Sequence, residues 1–274
     1  MISIIMSAYN AEKTIKKAII SVLNQKYKNF ELIIINDCST DNTLNIINQF
    51  KDNRIRVINN KYNLGAGMSR RIGVENITGN YTLMLDSDDY LSKDCLSTLM
   101  SYTKYNADII IPGCIIEDEK YNTIKIKKSE FKIETDDDKF KPNKEDTKRF
   151  LNCMLVNSKL WDKVVYSHRR YIEDTPTLYK LMFFANKVIN IPYAGYHYVQ
   201  NSSSLCHTSS KLKHAIYTTL VAKDLIEFRK QQGVEYDDDV FIYRLEELKK
   251  FNLDELYLYK DEVLEIFKYI LKDN

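Results

Sequence analysis

Two aspartates separated by one residue, Asp86 and Asp88, lie with Ser87 between them and Asp89 behind them, directly after the apolar run 81–85. Carboxylates so spaced at a strand end can reach a hard divalent cation, Mg²⁺ or Mn²⁺, and the oxygens that the cation bridges. The same residues could instead cap a following helix. Two companion clusters favour the cation: Ser7-Ala8-Tyr9-Asn10 follows the run 2–6, and Asn36-Asp37-Cys38-Ser39 follows the run 32–35. Asp37 could cap its helix, but Ser39 and Asp41 can already do so, which leaves its carboxylate to accept from a uracil imide or a ribose hydroxyl. Tyr9 could stack on a base or pack at the sheet edge. Residues 63–73 combine Gly65, Gly67 and Gly73 with Arg70 and Arg71. Small residues near a helix start let backbone approach a ligand, and either arginine could neutralise phosphate, Arg71 equally lying solvated. The segment is not a Walker loop, and no dinucleotide fingerprint follows the first run.

A parallel sheet wrapped by helices would bring these clusters together, because ligands bind beyond the carboxyl ends of its strands. The pattern of the first ninety residues predicts that sheet. Strands are expected at 2–6, 32–35, 54–58 and 81–85, alternating with helices. The first helix turns Ile15, Ala18, Ile19, Val22 and Leu23 to one side; the second turns Leu44, Ile47 and Phe50 inward; the third spans about 66–77. A further strand is expected at 109–112. Residues 117–148 are rich in Lys, Asp and Glu and read as an insertion with a hairpin around 123–133. Helical periodicity returns at 150–165 and 175–185, a strand and turn follow at 187–198, and the rest reads as helices. The last of these carries Val263, Leu264, Phe267, Ile270 and Leu271.

Composition bounds the function classes. The 274 residues are 44% hydrophobic, enough for one substantial core. Forty Lys and Arg against 38 Asp and Glu leave a net charge of +2, too balanced to imply a nucleic-acid partner. Five scattered cysteines (Cys38, Cys95, Cys114, Cys153, Cys206), none in a CxxC pair, read as reduced cytosolic thiols. No basic leader precedes the first run and no apolar stretch approaches the ~20 residues that span a bilayer, so a soluble cytoplasmic protein is expected. Lys-rich amphipathic helices in the last third leave room for peripheral contact with the inner face of a membrane. The aromatic residues there, including Tyr257, Tyr259, Phe267 and Tyr269, exceed what one helix face usually buries and suit an interaction arm for a homo-oligomer or a membrane-associated partner.

Taken together, these residues resemble the inverting family 2 glycosyltransferases of the GT-A fold. The likeness is carried by Ser7 to Asn10, by Asn36 to Asp41, by residues 63–73 and by Leu85-Asp86-Ser87-Asp88-Asp89. It continues more weakly through Trp161-Asp162-Lys163, Tyr171-Ile172-Glu173-Asp174-Thr175 and Tyr196-His197-Tyr198. The resemblance implies an α/β, Rossmann-like GT-A fold with a mostly parallel central sheet flanked by helices, plus a C-terminal helical extension. The transferase domain would occupy 1–207, its nucleotide-sugar half 1–100 and its acceptor half 101–207, with the extension at 208–274.

The implied donor set is Ala8, Tyr9, Asn10, Asp37, Asn63, Arg70, Asp86 and Ser87, with Arg70 near the diphosphate. Asp88 would be the direct ligand of Mn²⁺ or Mg²⁺, joined by Asp86. His207 would be a further ligand or a surface histidine. Asp174 would be the catalytic base or a charge favoured at a helix amino terminus. On the acceptor side stand Glu173 and Trp161, the latter a platform or part of the core. The implied donor is a UDP-sugar, and the implied acceptor is a glycan, a lipid-linked saccharide or a protein. Relatives often have proline where Ser7 stands, asparagine in place of Arg71, and a diphosphate-assisting arginine after Tyr198, where this chain reads Val199-Gln200-Asn201-Ser202-Ser203-Ser204. A nucleotidyltransferase shares sheet and cation but needs a glycine-rich loop after the first strand, and residues 7–13 contain no glycine. A non-catalytic binding module would have no use for Asp174.

Overall fold

The computed structural model describes residues 1–135, 151–200, 210–234 and 239–272. Two compact units divide the chain, Met1–Asn201 and Ser202–Asn274.

In the first unit, β1 (Ile2–Ala8), β2 (Phe30–Asn36), β3 (Ile55–Asn59) and β4 (Tyr81–Met84) alternate with α1 (Ile15–Leu23), α2 (Thr43–Asn48) and α3 (Ala66–Glu75). The largely apolar character of β1 and β2 follows from burial on both faces. Ile2, Ile4 and Met6 enter one core with Ile15, Ala18, Ile19 and Val22 of α1, while Ile5 enters the other with Ile33, Ile35 and Met84. All four strands are parallel, in the order β3-β2-β1-β4. Ala8 pairs with Asn36 and Ile5 with Met84, so Tyr9, Asp37 and Asp86 leave the sheet along the same edge.

Beyond β4 the pairing is mixed. The short strand β5 (Tyr90–Leu91) and α4 (Cys95–Ser101) precede β6 (Ile109–Glu117), β7 (Thr123–Lys127) and β8 (Lys132–Ile133). The predicted hairpin at 123–133 is not one: β7 pairs with β6, and β8 pairs with β10 (Val188–Val199). The predicted helix at 150–165 is also corrected. Its described part is a 3₁₀ turn (Leu151–Cys153), strand β9 (Leu155–Asn157) and a second 3₁₀ turn (Ser158–Asp162). A short apolar run cannot tell strand from buried helix by period alone, and here β9 pairs antiparallel with both β4 and β6. Helix α5 (Asp174–Phe184) leads into β10, one strand with two register shifts that lies parallel to β6.

The second unit contains α6 (Lys211–Gln231), α7 (Asp239–Leu248), α8 (Leu253–Tyr257) and α9 (Lys260–Lys272). Ser210 caps α6, accepting from the Lys213 amide, and Asn252 and Glu255 form a capping box at α8. On α9, Ile266 and Tyr269 are buried, whereas Leu264, Phe267 and Leu271 are exposed. The inward stripe is fixed by its neighbours, since Tyr269 meets Phe241 edge-on and the Tyr217 hydroxyl bonds Glu262. No described helix is long and apolar enough to cross a membrane.

Candidate active site

The first wall of the crevice is two loops laced together. The Ser39 hydroxyl, expected as a helix cap, instead accepts from the Asn10 amide, and Asn10 Oδ1 accepts from the Thr40 amide at 2.9 Å. Asp41, two residues before α2 begins, accepts from the Thr43 amide. Asn10 and Cys38 both adopt positive φ, which turns each loop back toward the other. Ala8 is buried at the strand end, while Tyr9 is half exposed, its ring open to a ligand.

Asp37 is 3% exposed and its carboxylate is engaged by protein. Oδ1 accepts from Asn60 Nδ2 at 2.7 Å and from the Leu64 amide at 2.9 Å; Oδ2 accepts from the Gly65 amide at 2.8 Å. Asp37 thus anchors the entrance of α3, a favourable place for negative charge. Asn63 closes the same corner, its side chain donating to the Asp37 carbonyl.

Held at that end, α3 carries Arg70 into the crevice. Its Nη2 donates to Asp86 Oδ1 at 2.6 Å and its Nη1 donates to Glu173 Oε1. Both ends of its fork are bonded to carboxylates. Burial opposes its charge, but Tyr166, Asp86 and Glu173 more than offset that and hold its pKa well above the arginine value. The glycines of this segment also have another purpose. A Cβ on Gly67 would lie 2.5 Å from the carbonyl oxygens of Ser167 and Arg169, so the close approach is to the 167–173 segment.

The strand-end acids differ in their partners. Asp86 accepts from Arg70 and from Asn152, and its amide donates to the Tyr196 hydroxyl. Asp89 is buried and accepts from the Tyr196 hydroxyl at 2.6 Å and the Val199 amide at 2.8 Å, which ties the turn to β10. Asp88, beyond Ser87 in the same turn, receives no side-chain hydrogen bond among the described residues. Burial and the neighbouring Asp86 charge push its carboxyl up to about 6. One oxygen from each of the three acids falls within 4.8 Å of the others. Such an oxygen-only set, with repelling charges and Asp88 uncommitted, fits a hard divalent cation. The expected ligand His207 lies outside the described residues.

Opposite stands the acid pair. Ile172 has φ +56, rare for a β-branched residue, and this left-handed step aims Glu173 and Asp174 at the head of α5. Glu173 is taken by Arg70. Among the described residues the one side chain that donates to Asp174 is the Thr175 hydroxyl, at 3.5 Å, and burial followed by the Glu173 charge pushes its carboxyl up to about 6. A carboxylate so poised can remove a proton near neutral pH. Trp161 does not join it. The indole N–H donates to Thr82 Oγ1 at 2.8 Å, four residues before Asp86 on β4, and the ring packs in the core. The indole is thereby tied to β4, and its half-buried ring favours the core reading of Trp161.

With this geometry in hand, sequence comparison decides the family. The Glycosyl transferase family 2 model matches residues 3–181. The chain belongs to glycosyl transferase family 2. Among relatives of this family 2 chain, glycosyltransferase GlyG of Streptococcus pneumoniae is 27% identical over 231 residues, 78% of this chain and 76% of that protein. The Escherichia coli protein named UDP-Glc:alpha-D-GlcNAc-diphosphoundecaprenol beta-1,3-glucosyltransferase WfaP is 48% identical over 90 residues, 33% of this chain and 36% of WfaP. The matched stretch spans less than half the length of WfaP and of two Haemophilus influenzae relatives, at 37% and 46%. The crystal structure of S. aureus TarS 1-349 in complex with UDP-GlcNAc superposes with a TM-score of 0.71 at 18% identity, covering 98% of this chain and 81% of that one. That likeness shows the shared GT-A fold.

Several residues that organise the site carried no sequence signal for it. Asn152, which holds Asp86, lies in a stretch that reads as helix. Tyr196 belongs to the quoted Tyr196-His197-Tyr198 match, but its dual bond to Asp86 and Asp89 needs the β10 register to be seen.

Proposed function

We propose that this family 2 chain is a metal-dependent inverting glycosyltransferase that moves a sugar from a UDP-sugar to a hydroxyl acceptor. One observation carries the reading: of the acid pair at the head of α5, Glu173 is locked to Arg70, which leaves Asp174 as the single uncommitted carboxylate facing the strand-end acids. One such base suits a single displacement. Asp174 takes the proton of the incoming hydroxyl as the anomeric bond to the diphosphate oxygen breaks. Asp88, with Asp86, would hold Mn²⁺ or Mg²⁺, which when bound neutralises charge on the departing nucleoside diphosphate. Arg70 holds Asp86 and Glu173 in place. Ala8, Tyr9, Asn10 and Ser87 line the nucleoside and sugar side.

UDP as the nucleotide is supported by the names of WfaP and of the TarS complex, and WfaP's name favours a lipid-linked saccharide as acceptor. Such an acceptor would place the enzyme at the cytoplasmic face of a membrane. The test is a panel of nucleoside diphosphate sugars, headed by UDP-glucose and UDP-GlcNAc, scored for Mn²⁺-dependent thermal stabilisation and UDP release. Stabilisation and release confined to UDP-sugars with metal are expected. Equal response with and without metal, or none to any nucleotide sugar, would sink the proposal.

A further inference from the structure

Helix α9 carries two apolar stripes, and the second unit uses one of them. Ile266 and Tyr269 face inward, whereas Leu264, Phe267 and Leu271 are 50%, 55% and 75% exposed. Their spacing of three and four residues is that of the a and d positions of a two-helix seam, and Lys260 extends the seam by one turn at its amino end. A stripe of this period is shaped to face another helix rather than water.

Charge selects what covers it. Over 239–272 eight Asp and Glu stand against six Lys and Arg, and α9 itself carries three of each, so an anionic lipid surface gains no electrostatic hold here. The acids on the inner side are served within the unit, Glu262 by the Tyr217 hydroxyl and Glu265 by Lys223. The charges that flank the outer seam are not. Asp261 and Lys268, one heptad apart on the same flank, are both exposed and form no ion pair among the described residues.

That flank is complementary to itself. In an antiparallel pair of α9 helices the same flank of each meets, so Asp261 of one copy faces Lys268 of the second, and the two-fold axis repeats the pair with the roles exchanged. Lys260 then lies beside Leu271 of the second copy, where its methylene stem packs and its ammonium stays in water. A parallel pair does the opposite: it sets Lys260 against its own copy, faces Lys268 with the half-buried Val263 and leaves no opposite charges across the seam.

We infer that the chain forms a two-fold dimer by antiparallel packing of α9 on α9 of a second copy, with Leu264, Phe267 and Leu271 as the seam and two Asp261–Lys268 pairs as its flanks. The seam is short, about 18 Å at 1.5 Å per residue, which places it among small interfaces of modest affinity.

Sedimentation equilibrium of the full chain from about 1 to 300 µM should show monomer and dimer in exchange, with Kd roughly 1–50 µM. Phe267→Ser should be monomeric throughout, with circular dichroism and melting temperature close to the parent because the ring is exposed. Asp261→Lys or Lys268→Glu alone sets like charges across both flanks and should weaken Kd about tenfold or more. The two changes combined restore both pairs in exchanged order and should return Kd to within about threefold of the parent. A parent that stays monomeric at 300 µM overturns the inference. So does a dimer that survives Phe267→Ser or ignores the single charge changes, since its interface lies elsewhere, and so does a combined variant no better than the single ones. Flotation of the monomer with phosphatidylglycerol vesicles, lost in Phe267→Ser, would give the stripe to a membrane and overturn the dimer as well.

Discussion

The Arg70 guanidinium donates to the Glu173 carboxylate across 103 positions of sequence, while its other end holds Asp86. One buried cation thereby joins the strand-end acids of the donor side to the acid pair before α5. Removing it leaves two half-buried carboxylates without their shared cation, and lysine cannot replace a fork that serves two partners. Arg70→Ala should cost about 3–5 kcal/mol in denaturant unfolding and abolish UDP release. Arg70→Lys should recover most of the stability and little of the turnover. A lysine variant with normal kcat would show that the bridge only staples the fold.

The acid dependence of turnover should report Asp174. Burial and Glu173 raise its pKa from 3.8 to about 6, and it accepts a proton only when ionised, so activity is lost as pH falls through that value. At saturating Mn²⁺, kcat should be half-maximal near pH 6 and flat above about pH 7, dropping about tenfold per unit below about pH 5. A profile flat down to pH 4 would exclude this carboxylate as the base.

The same shifts act on stability with a definite sign. Asp88 and Asp174 have folded values near 6, above the ordinary 3.8, so the folded chain keeps protons that the unfolded chain releases. Stability is therefore lost as pH rises through the window between these values. Asp174→Asn and Asp88→Asn remove that penalty. In chelator at pH 8 each should melt a few degrees above the parent, with the gap closing below about pH 4. Scanning calorimetry at the two pH values checks this, and a lower melting temperature for both variants at pH 8 would refute it.

How much of this was legible in the chain depends on the range of the interactions. The parallel half-sheet and its polar strand ends could be read because period and polarity are local properties, and Ile15, Ala18, Ile19 and Val22 do face the core. Asp37 was recognisable as important, but its engagement with Asn60, Leu64 and Gly65 depends on a loop more than 20 residues on. Trp161 was ambiguous until its partner Thr82 was visible. The buried face of α9 could not be read from its sequence, because the helix carries two apolar stripes and only the positions of Phe241 and Tyr217 select between them.

Asp86 and Asp88 should separate in their mutational effects, although one residue apart. Asp86 is built into the protein by Arg70 and Asn152, whereas Asp88 receives no such bond among the described residues. Asp86→Ala should lower the melting temperature with or without metal, by stranding Arg70. Asp88→Ala should leave apo stability intact or higher and lose the stabilisation that Mn²⁺ and UDP together give the parent. Isothermal titration of Mn²⁺ in the presence of UDP reads the difference. Parent-like Mn²⁺ affinity in Asp88→Ala would remove Asp88 from the ligand set.

Gly67 tests whether the small residues at the head of α3 approach protein or ligand. A methyl there meets the Ser167 and Arg169 carbonyl oxygens at 2.5 Å and Glu173 Cβ at 3.1 Å, all on the segment that bears the acid pair. Backbone cannot rotate away as a side-chain tip could, so α3 must back off and draw Arg70 from Glu173. Gly67→Ala should cost about 1–3 kcal/mol of stability and reduce kcat at least tenfold while changing donor KM little. Had the glycine served close approach to the nucleotide, KM would rise instead with stability unchanged, and that outcome would return the segment to the ligand-binding role its composition first suggests.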